Sequence, residues 1–369
     1  MIEFMFAGIL ATFLAYISQF EQKGRSLFLA LFVIWFIASF QDAVGIDFAS
    51  YEKGFFQILD GRRSGSFFRT DRSQIEIGWF VLCKGIGTFV NTFYAVTPIV
   101  YAFILYALYR LLLLVPKQWR WLFIFYYYFG IKYFLFDMSG IRQGIAIACW
   151  ILLALALKDK KYKTAIIFVL LGISFHNSFI YSLLLIPLTF IPYERITFNK
   201  HKLLWTFLVL GSFAAIYVYL SLIYENIMVF SLLFEGQENE EVYLSYITEM
   251  EEHRISWISL LLNVILLLFV TVAFTNQMPS TPYSNMFYVL YIFTFIVDSA
   301  LGGFGSLPRI FLYTGFFALP AIAITGFHLK GFWRMAFLVY IIFITLFSFY
   351  AKIHTEQYLG YLNYHTIFF

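Results

Sequence analysis

Apolar runs of membrane-spanning length recur along this chain, and they constrain its fold more than any other feature. About 20 apolar residues cross the hydrocarbon core as a helix, because the helix satisfies its own backbone polar groups where no water can. Candidate spans fall near 4–20, 26–43, 97–115, 119–136, 140–157, 164–175, 178–192, 203–223, 256–275, 286–303, 309–326 and 333–350. The composition agrees: 12% of the residues are charged and 62% hydrophobic, against about 25% charged in a soluble domain. The reading is an all-α polytopic membrane protein of about twelve transmembrane helices, with residues 1–369 forming one transmembrane domain. The first 20 residues have no basic n-region and no small-residue cleavage site, so they read as a retained first span.

Charge sets the expected orientation. The connections Gln22–Arg25, Pro116–Arg120, Lys158–Lys163, Tyr193–Lys202 and Leu329–Arg334 are short and mostly basic. They share one side if the spans alternate, and the positive-inside rule places that side in the cytoplasm. The short runs flanking His176 must both cross for this to hold, and their length suits a broken or tilted pair. The opposite, outer face then receives a long loop at 42–96, the turn Asp137–Gln143, the His176 turn, an acidic loop at 224–255, the turn Gly302–Arg309 and the C-terminal tail.

Within 42–96, Phe48, Tyr51, Phe55 and Ile58 recur at helical spacing, as do Ile75, Trp79, Leu82, Ile86 and Phe89. Two amphipathic helices lying on the outer membrane surface fit this pattern. A span over 75–94 is the alternative, opposed by Glu76, Lys84, Gly85 and Gly87. The acidic loop carries eight Glu against one Arg between Glu225 and Arg254, and reads as a helical lid or as a plain solvated loop.

Walker, GxGxxG, HExxH and GxSxG patterns are all missing, and Cys83 and Cys149 stand in no paired ligand spacing. The chemistry therefore falls to ionisable groups at or near membrane depth, which are costly there and so tend to be functional. In SGIRQGIA, at 139–146, Arg142 opens a span among small residues, and its guanidinium suits a phosphate or pyrophosphate held through two parallel hydrogen bonds. Snorkelling to the headgroups, or pairing with Asp137, is the structural alternative. Arg309 repeats the pattern behind GGFGSLP. His176, in ISFHNS, suits a proton acceptor or a donor to substrate, or a plain structural histidine. Asp47 and Tyr51 in GIDFASY, and Glu76 in IEIGW, bring carboxylates to the same face, where they act as a general base or neutralise the arginines. Arg62, Arg63, Arg69 and Arg72 form a basic cluster suited to an anionic headgroup or an acidic glycan. The aromatic run at 125–134 reads as helix packing and interfacial belt.

The order GIDFASY, IEIGW, SGIRQGIA, a Phe-His-Asn-Ser turn, a late arginine and a Tyr-rich tail ending NYHTIFF resembles the EpsG family, related in role to Wzy-type O-antigen, capsule and exopolysaccharide polymerases. The resemblance covers most of the chain, and SGIRQGIA is its most specific part. IEIGW departs from the family pattern in lacking a proline before the glycine. The resemblance implies a GT-C-like glycosyltransferase of the bacterial cytoplasmic membrane that joins undecaprenyl-pyrophosphate-linked repeat units at the outer face, together with a flippase and a chain-length regulator. On that reading His176, Arg142, Arg309 and Asp47 are the catalytic candidates, and Tyr51, Glu76, Arg69, Arg72 and Gln143 bind substrate. No cofactor or metal is required, although Mg²⁺ or Mn²⁺ held by Asp47 and Glu76 stays open. A lipid-linked-oligosaccharide flippase and a membrane O-acyltransferase of glycans are the rival readings; the gathering of charge at one face and the outer location of His176 weigh against them.

Overall fold

The computed structural model describes residues 2–42, 44–45, 47–67, 73–130, 132–192, 257–276, 283–301, 308–364 and 366–367. The chain divides into two compact units, residues 1–190 with 322–369, and residues 191–321.

In the first unit, helix α1 (Ile2–Ile17) packs on α2 (Arg25–Ser39) and on α6 (Arg120–Phe129), α2 on α5 (Thr97–Leu112), α5 on α8 (Ile141–Lys158) and α8 on α9 (Tyr162–Phe175). The reason is visible in α1. Ile2, Phe6, Ile9, Phe13, Tyr16 and Phe20 form an exposed stripe, while Phe4, Ala7, Gly8, Ala11 and Ala15 are buried. Large apolar residues face outward and small ones admit the neighbouring helix, as helices pack in lipid. Helix α8 differs, since it is buried nearly all round.

Among the described residues, four helical segments are long and apolar enough to cross a membrane: Ile2–Phe20, Phe93–Leu112, Ile141–Lys158 and α16, Gly331–Ile353. Shorter apolar helices account for several other expected spans, and some of those are broken. The 119–136 run stops at Gly130, after which α7 (Phe134–Ser139) starts a new short helix; α6 thus ends where a single span was expected to continue. The 178–192 run is α10 (Phe179–Ser182), a 3₁₀ turn and α11 (Ile186–Phe190), as the short length required.

Between α2 and α5 the chain forms α3 (Phe48–Leu59), a two-stranded parallel pair β1 (Ser64–Ser66) and β2 (Gln74–Glu76) with Gly65 opposite Ile75, and α4 (Ile77–Gly87). The first expected amphipathic face is buried at Phe48, Phe55 and Ile58. On the second, Ile75 and Trp79 are buried, whereas Phe89 lies beyond the helix and is 89% exposed. Cys83 takes the interior position, because residues 74–76 are strand and the helical count starts only at Ile77.

The C-terminal tail returns to the end of α2. Thr366 bridges Gln41, Ile367 N–H donates to Phe40 O at 3.0 Å, and the Tyr364 hydroxyl donates to Ile37 O at 2.7 Å.

In the second unit, α12 (Trp257–Asn276) and α13 (Ser284–Leu301) stack Phe274 on Tyr288 with ring centres 4.7 Å apart. Helix α14 (Pro308–Gly315) joins α13 through a 2.7 Å hydrogen bond from Thr294 to Thr314, and α15 (Ala318–His328) begins in this unit and continues into the first from Ile322. The expected span at 309–326 is therefore two helices. The expected span at 203–223 and the acidic loop at 224–255 lie outside the described residues.

Candidate functional site

Arg142 is the second residue of α8, so its side chain leaves the helix in the first turn, where backbone N–H groups have no partner in the helix. It forms an ion pair through Nη1 with Oε2 of Glu76, whose side chain is almost fully buried. The sequence left Arg142 open to Asp137, its near neighbour; the partner is instead a residue 66 positions away. Asp137 accepts a 2.7 Å hydrogen bond from the Tyr127 hydroxyl. Complete burial pushes its carboxyl up to about 7, with the Tyr127 bond opposing that rise.

The guanidinium lies over the Tyr51 ring at 5.3 Å, and that ring meets Trp79 at 5.5 Å. Burial raises the Tyr51 hydroxyl above its usual range, with Arg142 pulling the other way. GIDFASY, IEIGW and SGIRQGIA, dispersed over about a hundred residues, thus meet at one point. Two glycines of these motifs are close approaches. A Cβ on Gly78 would strike Ser174 of α9, and one on Gly45 would strike the Met138 carbonyl, so α4 and the start of α3 sit directly against the ends of α9 and α7. Gln41 ties the same region together: Oε1 accepts from Gly45 N–H at 3.1 Å, and Nε2 donates to the Tyr101 hydroxyl at 3.1 Å and to Met138 O at 3.3 Å.

These elements enclose a polar cavity of about 290 Å³ lined by Asp47, Ser50, Tyr51, Gly54, Arg63, Ile75, Trp79 and Arg142. Asp47 stands at the N-cap position of α3, yet its side chain makes no capping bond. Two buried donors on this lining have no acceptor, Arg142 Nε and Trp79 Nε1. A buried donor left unmet costs about 1–3 kcal/mol, so a lining that carries two is suited to a ligand rich in oxygen acceptors. Cys83 supplies no nucleophile here, since burial pushes its thiol up to about 12.

His176 ends α9 near Ser174 and is absent from the cavity lining. Its Nδ1 accepts from the Ser178 N–H at 3.2 Å and lies 2.7 Å from the Ser178 hydroxyl. Because a backbone amide can only donate, the proton of the neutral ring sits on Nε2. Gln143 is buried and does not line the cavity. Arg309 is the second residue of α14, and its side chain lies outside the described residues, as do Arg69 and Arg72. Among the described residues, three or more His, Cys, Asp or Glu side chains nowhere gather at metal-binding spacing. Ser50 and Trp79 are lining residues to which the sequence reading gave no ligand role, although GIDFASY and IEIGW contain them; Arg63 it placed in the outer basic cluster.

A bundle of apolar helices with a polar, arginine-bearing cavity at one end of a deeply buried member defines the chain as a helical membrane protein. The chain belongs to the EpsG family, whose sequence pattern matches residues 25–366. No curated protein and no protein of known structure matches it.

Proposed function

We propose that this chain is a Wzy-type polysaccharide polymerase that joins undecaprenyl-pyrophosphate-linked repeat units at the outer face of the bacterial cytoplasmic membrane. In this reading the helices form about twelve spans in a single GT-C-like transmembrane domain. The observation that carries it is the pair of unmet buried donors, Arg142 Nε and Trp79 Nε1, on one polar cavity at the start of α8. Pyrophosphate and sugar hydroxyls both supply the acceptors that such donors lack.

An acceptor hydroxyl of one repeat unit attacks the anomeric carbon of the growing chain. The bond from that carbon to the pyrophosphate oxygen breaks, and the hydroxyl proton passes to a base. Arg142 stabilises charge on the leaving pyrophosphate more in the transition state than before it, and Arg309 is proposed to share that role. Glu76 holds the Arg142 guanidinium in place through one nitrogen, leaving Nε for substrate. Asp47, on the cavity lining and not spent as a helix cap, is the preferred base. His176, with Nδ1 engaged, is better suited to donating from Nε2 to a sugar oxygen than to accepting a proton. Tyr51 and Trp79 offer ring faces for a sugar, Gln143 supports the helix start, and Arg69 and Arg72 are proposed to contact the glycan or headgroup. A flippase and a chain-length regulator are the proposed partners.

The test is deletion of the gene in its host, with the lipid-linked glycan sized on a gel and complemented by wild type and by Arg142→Ala. A ladder that collapses to single repeat units and returns only with wild type supports polymerisation. Repeat units stranded on the cytoplasmic leaflet would indicate a flippase, and a full ladder lacking acyl groups an acyltransferase; either result removes the proposal.

A further inference from the structure

The basic loops Gln22–Arg25 and Pro116–Arg120, far apart in the sequence, converge on one elongated cavity of about 760 Å³ between α2 and α5. Its two ends differ in chemistry. At one end stand Lys23 and Lys117, both exposed, and Arg120, which is half-buried and donates from Nε and Nη2 to the Val115 and Leu113 carbonyls at 3.3 Å each. Glu21 shares this end, but its carboxylate already accepts from the Ser26 N–H at 2.9 Å and from the Ser26 hydroxyl. From there the walls turn apolar along Phe28, Leu31, Phe32 and Leu105, with Phe28 still 70% exposed. Trp35 closes the far end, its Nε1 donating to Pro98 O at 2.8 Å.

This cavity is separate from the polar pocket. Ile104 touches the position of a Gly144 side chain, which places the first half of α5 beside the start of α8, whereas Lys117 and Arg120 follow the other end of α5. An apolar trough that opens sideways from a membrane bundle faces acyl chains. Three cations at its head, against one carboxylate that is already hydrogen-bonded, select a negative headgroup.

We infer that the α2–α5 groove is a binding site for one anionic diacyl phospholipid of the cytoplasmic leaflet, with its phosphate between Lys23, Lys117 and Arg120 and an acyl chain along Phe28, Leu31 and Phe32. The undecaprenyl carrier is the less suitable occupant, because in the proposed reaction its pyrophosphate lies at the opposite end of the bundle. The groove and its cations stand apart from the proposed polymerisation; the choice of a phospholipid over the undecaprenyl carrier rests on that reading, and the cytoplasmic leaflet on the basic loops.

Native mass spectrometry of the purified full-length chain, in detergent with equimolar phosphatidylglycerol and phosphatidylcholine, tests it. One phosphatidylglycerol should be retained in preference, and Lys23→Gln with Lys117→Gln should lower that preference about fivefold for each lysine removed. Both lysines are exposed, so the variant should melt with wild type. Ala102→Trp, which fills the groove from α5, should abolish retention of the first lipid, while Lys160→Gln with Lys163→Gln, on another basic loop, should change nothing. Equal retention of the two lipids overturns the inference, as does a preference that survives the loss of both lysines or displacement of phosphatidylglycerol by undecaprenyl phosphate at equal concentration.

Discussion

Helices α8 and α16 are nearly alike as strings of hydropathy and opposite in their surroundings. Their most apolar windows have mean hydropathies of 1.6 and 2.0, yet 83% of the window is buried in α8 and 33% in α16. The difference lies in side-chain size. Helix α8 is punctuated by Gly144, Ala146, Ala148, Cys149, Ala154 and Ala156, which let neighbours approach on every side. Helix α16 instead sets Phe332, Trp333, Met335, Val339, Phe343, Phe347 and Tyr350 on an exposed face and keeps Phe337, Ile341, Ile344 and Phe349 inside. Lipid is as apolar as leucine, so hydrophobicity cannot select which helix goes to the centre, while small residues can. The polar pocket follows the same division, since the arginine that bounds it is carried on the first turn of the surrounded helix.

Substitutions on the two helices should separate accordingly. Arg142→Ala should lower polymerisation by about 10²–10³ in rate, by analogy with the loss of an oxyanion-hole donor. It should also destabilise the fold by about 3–5 kcal/mol, because Glu76 is left buried without its partner. Arg142→Ala combined with Glu76→Gln should recover much of the melting temperature and none of the activity; recovery of activity would show the arginine to be structural. Next in size is Ala148→Leu, which overpacks α8 and should cost about 1–3 kcal/mol in a detergent melt.

Asp137, in the short helix α7 that leads into α8, predicts a pH dependence between acid and neutral pH. With its folded value raised to about 7 from 3.8, the folded state keeps the proton that the unfolded chain gives up. Its contribution to stability is therefore full below about pH 4, declines as the pH rises, and levels off above about 7. Melting temperatures measured from pH 4 to 8 should show that decline in wild type and lose it in Asp137→Asn.

Trp79→Phe removes the unmet Nε1 together with part of a fully buried ring. It should cost about 1–2 kcal/mol of stability through the cavity left behind and weaken substrate use about fivefold, the worth of one hydrogen bond; a variant with unchanged KM and kcat would exclude Trp79 from binding. The smallest effect belongs to α16, where Val339→Leu on the exposed face should stay within about 0.5 kcal/mol and leave the glycan ladder intact.

Much of this contrast was invisible beforehand. The apolar run that becomes α1 and the start of α8 beside Arg142 are legible from hydropathy and from a polar residue opening an apolar run. The break at Gly130 was not, because Tyr126–Phe136 is apolar but for Lys132 and hydropathy is blind to where a helix bends. Asp47, Tyr51, Glu76 and Arg142 could be named as a constellation from residue chemistry and a shared face. Neutralisation of the arginines by Asp47 or Glu76 was one open reading, but which carboxylate pairs with Arg142 was not legible, because Asp137 is near in sequence and Glu76 is near in space.

Sequence alone was sufficient for the kind of solvent this chain occupies, the helical class of its spans and the residue types able to meet a pyrophosphate, since each of these is a sum over local properties. Tertiary structure decided which helix stands at the centre, which carboxylate neutralises Arg142, that Nδ1 of His176 is already engaged, and that two remote basic loops share one groove. Those are distances between segments, and they depend on how closely backbones approach at small residues such as Gly45, Gly78 and Gly144. Packing at such points is a property of pairs of elements that no single stretch of sequence contains.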